Sequence, residues 1–358
     1  MAANASASFA IPLLWLLLLS VVCVVSASPI LHLPNSPSSV QHYLIPRAAG
    51  FILNNSTGVP EVFDPVTRVP IPQGSASDGS GTGFDAPAAI WLAFSFVVGL
   101  PMAFAGFRGW RFTTGVGIGL AAGVCSWAAL INTVSATGIS DLLLTLITIG
   151  FFGLGALLGV FEIGRIGGIA CLGIASGLSF GMRVMLLKSE LLFSGTDLYA
   201  ANWVITAVLG MAGGMSMISG SIQRTGILFA CSSVGTFFTF LGIDLILNKQ
   251  AGMSRGLRFL FDRNSSHIVD IVSKGYVPPI STQILLGVSL VLTPLLTYLQ
   301  HRLFPQPFSR NPERDDIIRD SVSIDVNMSN VSSDGKRATF LQGLWDTARG
   351  KSPNRFSL

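Results

Sequence analysis

The chain has 358 residues, of which 22 are basic, 18 are acidic and 39 are glycine. Charged residues make up 11% of it, against about 25% in soluble domains, so this composition excludes an ordinary soluble protein. The formal net charge of +4 does not indicate a nucleic-acid partner, because the basic residues are dispersed and form no cluster alternating with aromatics. Abundant apolar residues and glycines are instead typical of helices packed closely in a lipid bilayer.

The N-terminus carries a targeting signal. Residues 9–27 are apolar and end in Val25, Ser26 and Ala27, a small-residue cleavage pattern that predicts a cleaved signal peptide over 1–27. Because no Lys or Arg precedes the apolar run, an uncleaved signal anchor is the alternative. Either reading places the following residues in the lumen or outside the cell.

Residues 28–86 are rich in Pro, Ser, Gly and Asn, which predicts a disordered lumenal or extracellular arm. Asn54 and Asn55 begin overlapping glycosylation triplets, and Asn264 begins a third further along the chain. These three asparagines are candidate glycosylation sites. The four cysteines lie in the signal or in predicted helices, so no disulfide framework is expected.

Seven segments have the length of about 20 apolar residues that a bilayer crossing needs. They are residues 87–107, 112–133, 139–161, 166–187, 201–220, 225–247 and 282–302. Arg108, Arg111, Arg165 and Arg224 fall in the first, third and fifth connections, which the positive-inside rule places in the cytosol. We therefore predict an all-α, polytopic membrane domain over 87–305, with a lumenal N-terminus and a cytosolic C-terminus.

The connection over 249–280 does not follow that rule, because it should be lumenal yet carries five basic residues. Within it, Leu257, Leu260 and Phe261 share one helical face. This favours either a helix lying on the membrane surface or a solvated basic loop.

An internal repeat relates two of the predicted helices at an offset of 58 residues. The matching glycines are Gly115, Gly119 and Gly123 in one helix and Gly173, Gly177 and Gly181 in the other. Glycines four residues apart lie on one helix face and let a neighbouring backbone approach closely. With a fainter copy at Gly226 and Gly235, the pattern predicts three hairpins in parallel repeat, helices 1 with 2, 3 with 4 and 5 with 6, plus a lone seventh helix.

Two charges fall inside predicted spans. Arg183 lies 18 residues beyond Arg165, and Asp244 lies 20 beyond Arg224. At about 1.5 Å per residue, both lie about 27 to 30 Å from the cytosolic face. Because an isolated charge in lipid is costly, we predict an Arg183–Asp244 ion pair between helices 4 and 6. It would be a gate, a solute-contacting site or a structural clamp, unless each side chain snorkels to the headgroups.

No metal-binding histidine pattern, nucleophile elbow or phosphate-binding loop occurs, so no enzyme, metal or cofactor is expected. Residues 306–358 are polar and Ser-rich, which predicts a disordered cytosolic tail that binds cytosolic protein partners. The glycine faces would pack either within one chain or between copies in a homo-oligomer.

The turn at 106–111, its echo over 164–181, the block over 213–244 and the ending at 301–305 resemble the transmembrane protein 198 and seven-transmembrane superfamily member 3-like domain. The resemblance implies a multipass protein with seven helices and no established catalytic residue. Some animal relatives are linked to receptor signalling as scaffolds, and the arm and tail are similar to those of uncharacterised fungal members. A scaffold of the plasma membrane or endomembranes is therefore our first functional hypothesis, and a channel or carrier is the second.

Overall fold

The computed structural model describes residues 50–53, 60–64, 67–81, 83–106, 108–134, 138–161, 164–193, 199–218 and 222–304. The predicted signal peptide, Asn54, Asn55 and the predicted tail lie outside these ranges. The long helices expected from the sequence are present, and the domain that they form is all-α.

Seven long helices and two short ones follow one another in the described ranges. They are α1 (Ala86–Ala105), α2 (Trp110–Thr133), α3 (Asp141–Val160), α4 (Arg165–Leu186), α5 (Tyr199–Ser216), α6 (Gln223–Asn248), α7 (Met253–Phe261), α8 (Ile268–Lys274) and α9 (Ile280–Leu303). Single 3-10 turns at Lys249–Ala251 and Ser265–His267 flank α7. Two strands, β1 (Gly50–Leu53) and β2 (Pro60–Phe63), pair antiparallel in the arm.

Polar residues set the starts of two helices. The Asp85 side chain accepts a hydrogen bond from the Ala88 amide at the start of α1, and Pro87 occupies the first turn, where it breaks no helical bond. Ser140 caps α3 in the same way, and Asp141 follows in its first turn, where a negative charge is favoured by the helix dipole.

Six helices, namely α1 to α4, α6 and α9, are long and apolar enough to cross a membrane. Their outward faces expose large apolar side chains, including Leu157 on α3 and Val291 on α9, which in a bilayer contact lipid. The protein is thus a multipass membrane protein. At 18 residues, α5 is the shortest of the long helices and is not among the six, so the seventh crossing stays a prediction.

The six predicted packing glycines all lie where two helices meet. A Cβ on Gly115 would lie 3.0 Å from the Ala156 carbonyl oxygen on α3, and one on Gly119 would lie 2.9 Å from Phe152. Gly123 also faces Phe152. Between α4 and α5 the approach is closer still, since a Cβ on Gly177 would lie 1.9 Å from the Leu209 carbonyl oxygen.

The other two glycines of α4 complete an antiparallel seam with α5. Gly173 faces Gly213, and Gly181 faces Thr206, so residue numbers fall on α5 as they rise on α4. The fainter third copy forms an equivalent contact, because a Cβ on Gly235 of α6 would lie 2.3 Å from the Ala103 amide nitrogen on α1.

These seams pair α2 with α3, α4 with α5 and α6 with α1. The predicted hairpins of α1 with α2, α3 with α4 and α5 with α6 are not the main packing units. The glycine repeat indicates which helices form close contacts. It does not indicate whether the partner is the preceding helix or the following one. Consequently α2, α4 and α6 are the most buried helices, while α1, α3 and α9 are the most lipid-exposed.

The described residues 67–81 and 83–85 of the arm and the predicted basic loop form one folded layer at one end of the bundle. We call this layer, residues 67–81, 83–85 and 249–279, the cap, and the side it covers the cap end. The Trp127 indole at the end of α2 donates to the Asp78 carbonyl at 2.9 Å, and the Tyr276 hydroxyl donates to the Leu186 carbonyl at the end of α4 at 2.8 Å. The sequence predicted disorder through residue 86, so this order is a correction. The order comes from hydrogen bonds to the ends of the helices, and no apolar pattern in the sequence indicates it.

Within the cap, α7 is the amphipathic helix expected around Leu257. Its apolar side is not on the membrane surface but turned into the bundle, with Met253 and Leu260 fully buried. The opposite end is closed separately, where Arg224 at the start of α6 donates to the Phe304 carbonyl after α9 at 2.6 Å.

Candidate functional site

Arg183, near the end of α4, lies at the centre of a buried polar cluster. The side chain is 0% exposed. Its partners are all neutral oxygens: Ser179 O at 3.1 Å, Ser233 O at 3.1 Å, Ser233 Oγ at 2.7 Å, Thr236 Oγ1 at 2.9 Å, Ser289 O at 3.1 Å and Thr293 Oγ1 at 2.8 Å. Thr236 and Thr293 also bond each other at 2.9 Å, so the guanidinium joins α4, α6 and α9.

Every nitrogen of this guanidinium has an acceptor. A guanidinium has five N–H donors, and here Nε has one acceptor, Nη1 has three and Nη2 has two on Ser233. Such saturation is what a buried charge requires in an apolar medium. The arrangement is therefore that of a clamp, and an incoming anion would have to displace bonds within the protein.

Asp244 serves a different structure. Its carboxylate accepts bonds from Asn248 Nδ2 at 2.8 Å, Thr282 Oγ1 at 2.6 Å and the Met253 amide at 2.5 Å. A Cβ on Gly252 would lie 2.1 Å from the carboxylate, so the chain can approach it only as glycine. Asp244 thus fixes the start of α7 to the end of α6 and the start of α9.

The predicted ion pair between Arg183 and Asp244 does not form. Arg183 contacts Ser233 and Thr236 of α6, and Asp244 lies eight residues beyond Thr236, about 12 Å along a helix. Equal depths of Arg183 and Asp244, counted from Arg165 and Arg224, would require α4 and α6 to begin at the same level. The contacts show that the two helices are shifted along their axes, so equal residue counts do not give equal depth.

A second charged cluster holds the two halves of the cap together. Arg258 donates to the Ala76 carbonyl at 2.8 Å and to the Gln250 carbonyl at 3.0 Å, and its Nε lies 3.7 Å from Asp78. Asp78 also accepts a short hydrogen bond from the Ser254 hydroxyl. Residues that the sequence separates by more than 170 positions therefore form one buried network.

A third cluster centres on Asp270, which bonds Arg255 at 2.9 Å and Lys274 at 2.5 Å. Burial by itself would raise the pKa of this carboxyl, but the hydrogen bonds from Lys274, Arg255 and the Ala76 amide outweigh it and lower the pKa below its ordinary value. These clusters explain why a loop with five basic residues lies at the cap end. Several of its charges are structural and are neutralised within the cap.

Asn264, a predicted glycosylation site, is buried in this layer at 8% exposure. Its amide nitrogen, the atom that a glycan would modify, donates to the carbonyl oxygens of Ile131 and Val134 at the end of α2. Its oxygen accepts from the amide and hydroxyl of Ser266. In the folded chain the predicted glycan at Asn264 has no room and no free amide.

The described residues contain few of the side-chain groups that catalysis and metal binding require. His267 pairs with Asp262 at 2.8 Å and is buried. The described residues contain no group of three or more His, Cys, Asp or Glu able to hold a metal ion. The Ser and Thr ring around Arg183 was not predicted from the sequence, although Ser233, Thr236 and Thr293 recur as polar positions on the buried faces of α6 and α9.

A family model, the TM7S3/TM198-like domain, matches residues 92–301, which is 210 of the 358 residues. The match spans the bundle from α1 to α9 and includes α7 and α8 of the cap. Searches of curated proteins and of solved structures give no match. With a family match over more than half of its length and a bundle of long apolar helices, the chain belongs to the TM7S3/TM198-like domain family.

Proposed function

We propose that the chain is a non-enzymatic membrane scaffold, associated with signalling, whose helical bundle carries the cap and whose C-terminal tail recruits cytosolic partners. The observation that carries the proposal is the saturated guanidinium of Arg183. It ties three helices at the centre of the bundle with bonds that leave no donor for a passing solute. The glycine seams add close backbone contacts, so the bundle is suited to holding its two ends in a fixed arrangement.

The proposal includes a topology in which the N-terminus and cap are lumenal or extracellular and the tail is cytosolic. Arg108, Arg111, Arg165 and Arg224 lie at the end opposite the cap, and this distribution supports a cytosolic position for that end. Seven crossings are required, so α5 must span the bilayer as well. Its antiparallel seam with α4 supports this, since 18 residues extend about 27 Å. The membrane would be the plasma membrane or an endomembrane of the secretory pathway.

The scaffold is tested by comparing the full chain with a variant lacking residues 306–358 in cells that lack the native protein. At equal amounts in the membrane, the full chain should restore the deletion phenotype and the truncated chain should not. Restoration by the truncated chain would overturn a role for the tail.

A channel or carrier is the second candidate, because an ionisable residue inside a membrane span commonly marks a solute path. The observation in its favour is the polar ring of Ser233, Thr236 and Thr293 around Arg183. Proteoliposomes containing the full chain should show no ion or solute flux above empty liposomes. If the full chain does show flux, and that flux disappears in Arg183→Met or Asp244→Asn, the chain is a channel or carrier and not a scaffold.

A further inference from the structure

A cavity of about 120 Å³ lies between α1, α2, α3 and α6, near the cap end. Its walls are mainly aromatic and aliphatic, with Trp91 and Phe94 on α1, Trp127 on α2 and Phe152 on α3. Phe261 of α7 also lines it, so the cap contributes to the cavity. Neither Arg183 nor any of its hydrogen-bond partners lines it, and the inference below does not rest on the proposed scaffold.

The aromatic walls brace one another and hold the space open. The Phe94 ring makes edge-to-face contacts with Trp91 at 5.6 Å, with Phe152 at 4.8 Å and with Phe238 at 5.6 Å. On the other side, the rings of Trp127 and Phe261 are 5.3 Å apart. Interlocked rings cannot collapse into the space without losing several such contacts at once, so the cavity is preformed.

Hydrogen bonds also fix the two indole rings that face the cavity, one to α3 and one to the cap. Trp91 Nε1 donates to Thr145 Oγ1 at 3.0 Å, and Trp127 Nε1 donates to the Asp78 carbonyl at 2.9 Å. The Asp78 carboxylate bonds Ser80 and Ser254 and lies beside Arg258. Because this carboxylate is already bonded and neutralised, the cavity offers no free charge to a ligand.

One hydroxyl in the cavity wall has no hydrogen-bond partner among the described residues. Thr148 Oγ1 is buried, with the residue 3% exposed, and it accepts and donates nothing. Buried polar atoms are paired in most structures, so an orphan in a cavity wall points to a group supplied from outside the chain.

Other threonines of the long helices pair their hydroxyls within the helix. Seven of them donate to the carbonyl oxygen four residues earlier, which is the usual solution in an apolar medium: Thr114, Thr133, Thr206, Thr236, Thr239, Thr293 and Thr297. Thr148 has no such bond to Leu144. Thr148 is also one of the residues that line the cavity.

We propose that this cavity binds a small neutral hydrophobe, a ring or short chain with one oxygen that hydrogen-bonds the Thr148 hydroxyl. The size follows from comparison, since an engineered apolar cavity of about 150 Å³ admits benzene. A space of about 120 Å³ is comparable, and it therefore takes a body about the size of one small ring. A charged ligand does not fit, because its desolvation would be uncompensated in these walls.

The test uses 4-bromophenol, which is neutral at pH 7 and whose bromine quenches nearby tryptophan, with bromobenzene as the counterpart that lacks the hydroxyl. Both are titrated into the full chain in lipid nanodiscs while tryptophan fluorescence is followed, because Trp91 and Trp127 line the cavity. Saturable quenching by 4-bromophenol is expected. Quenching that rises linearly, as in protein-free partitioning into lipid, would overturn the proposal.

Three variants separate this site from any other. Ile149→Phe fills the cavity and should weaken binding at least tenfold, while Leu146→Phe adds the same ring on the same helix at a position 51% exposed to lipid and should change nothing. Thr148→Val keeps the side-chain shape, so it still tests the site if Ile149→Phe fails to fold. It should weaken 4-bromophenol by roughly threefold to tenfold and leave bromobenzene unchanged. Equal binding in wild type, Ile149→Phe and Thr148→Val would place the ligand elsewhere and refute the assignment.

Discussion

Substituting Gly177 by alanine tests the α4–α5 seam most sharply. The added Cβ would lie 1.9 Å from the Leu209 carbonyl oxygen and 2.5 Å from its carbonyl carbon, where ordinary contact begins at 3.4 Å. The helices must therefore separate by about 1.5 Å at this point. Because the obstacle is backbone, no side chain can rotate away, and the cost lies at the upper end of the overpacking range of about 1 to 3 kcal/mol.

Alanine also favours the helix over glycine by about 1 kcal/mol, so the net loss expected for Gly177→Ala is about 2 kcal/mol in the free energy of unfolding. Gly150→Ala on α3 is the matched control, because a Cβ there meets nothing within 4 Å. It should be neutral or stabilising by up to about 1 kcal/mol. Equilibrium unfolding in mixed detergent and SDS, followed by far-UV circular dichroism, measures both. Equal stabilities for the two variants would refute the seam.

Three further predictions concern the polar clusters. Glycan mapping of the full chain made in a secretory pathway should find Asn264 unmodified, since its amide hydrogens are donated within the protein; a glycan there would contradict the cap. The pKa of Asp270 is lowered on folding, so its contribution to stability is complete above about pH 4 and is lost as the pH falls through the lowered value. Asp270→Asn should remove that part of the acid dependence of the unfolding free energy. An unchanged dependence of stability on pH would contradict the ion-pair geometry. Arg183→Lys should lower the unfolding free energy by about 2 kcal/mol or more, because a single ammonium cannot reach acceptors on three helices; wild-type stability would rule out the clamp.

The sequence was sufficient for the features that depend on local pattern. Apolar runs of about 20 residues located the long helices, and glycines spaced by four located their contact faces. The amphipathic spacing at Leu257 predicted α7. Each of these features is encoded within one turn or one helix.

Features that depend on how helices shift against one another could not be predicted. Arg183 bonds hydroxyl and carbonyl oxygens rather than the Asp244 carboxylate. The axial shift between α4 and α6 determines which of these partners it reaches, and a residue count along each helix does not give that shift. The cap was missed for a related reason. Its polar residues 67–85 lack periodicity, and their order comes from partners such as Ser254 and Arg258 far along the chain.

Cysteine accessibility in sealed vesicles tests the proposed topology most directly. Cys125, which is exposed, is first replaced by serine. Single cysteines are then placed at the exposed positions Lys188 after α4, Thr225 at the start of α6 and Ser273 in the cap. With seven crossings, a membrane-impermeant maleimide should label positions 188 and 273 from one side and position 225 only from the other. Labelling of positions 188 and 225 from one side and of position 273 only from the other would show that α5 does not cross, and it would contradict the account.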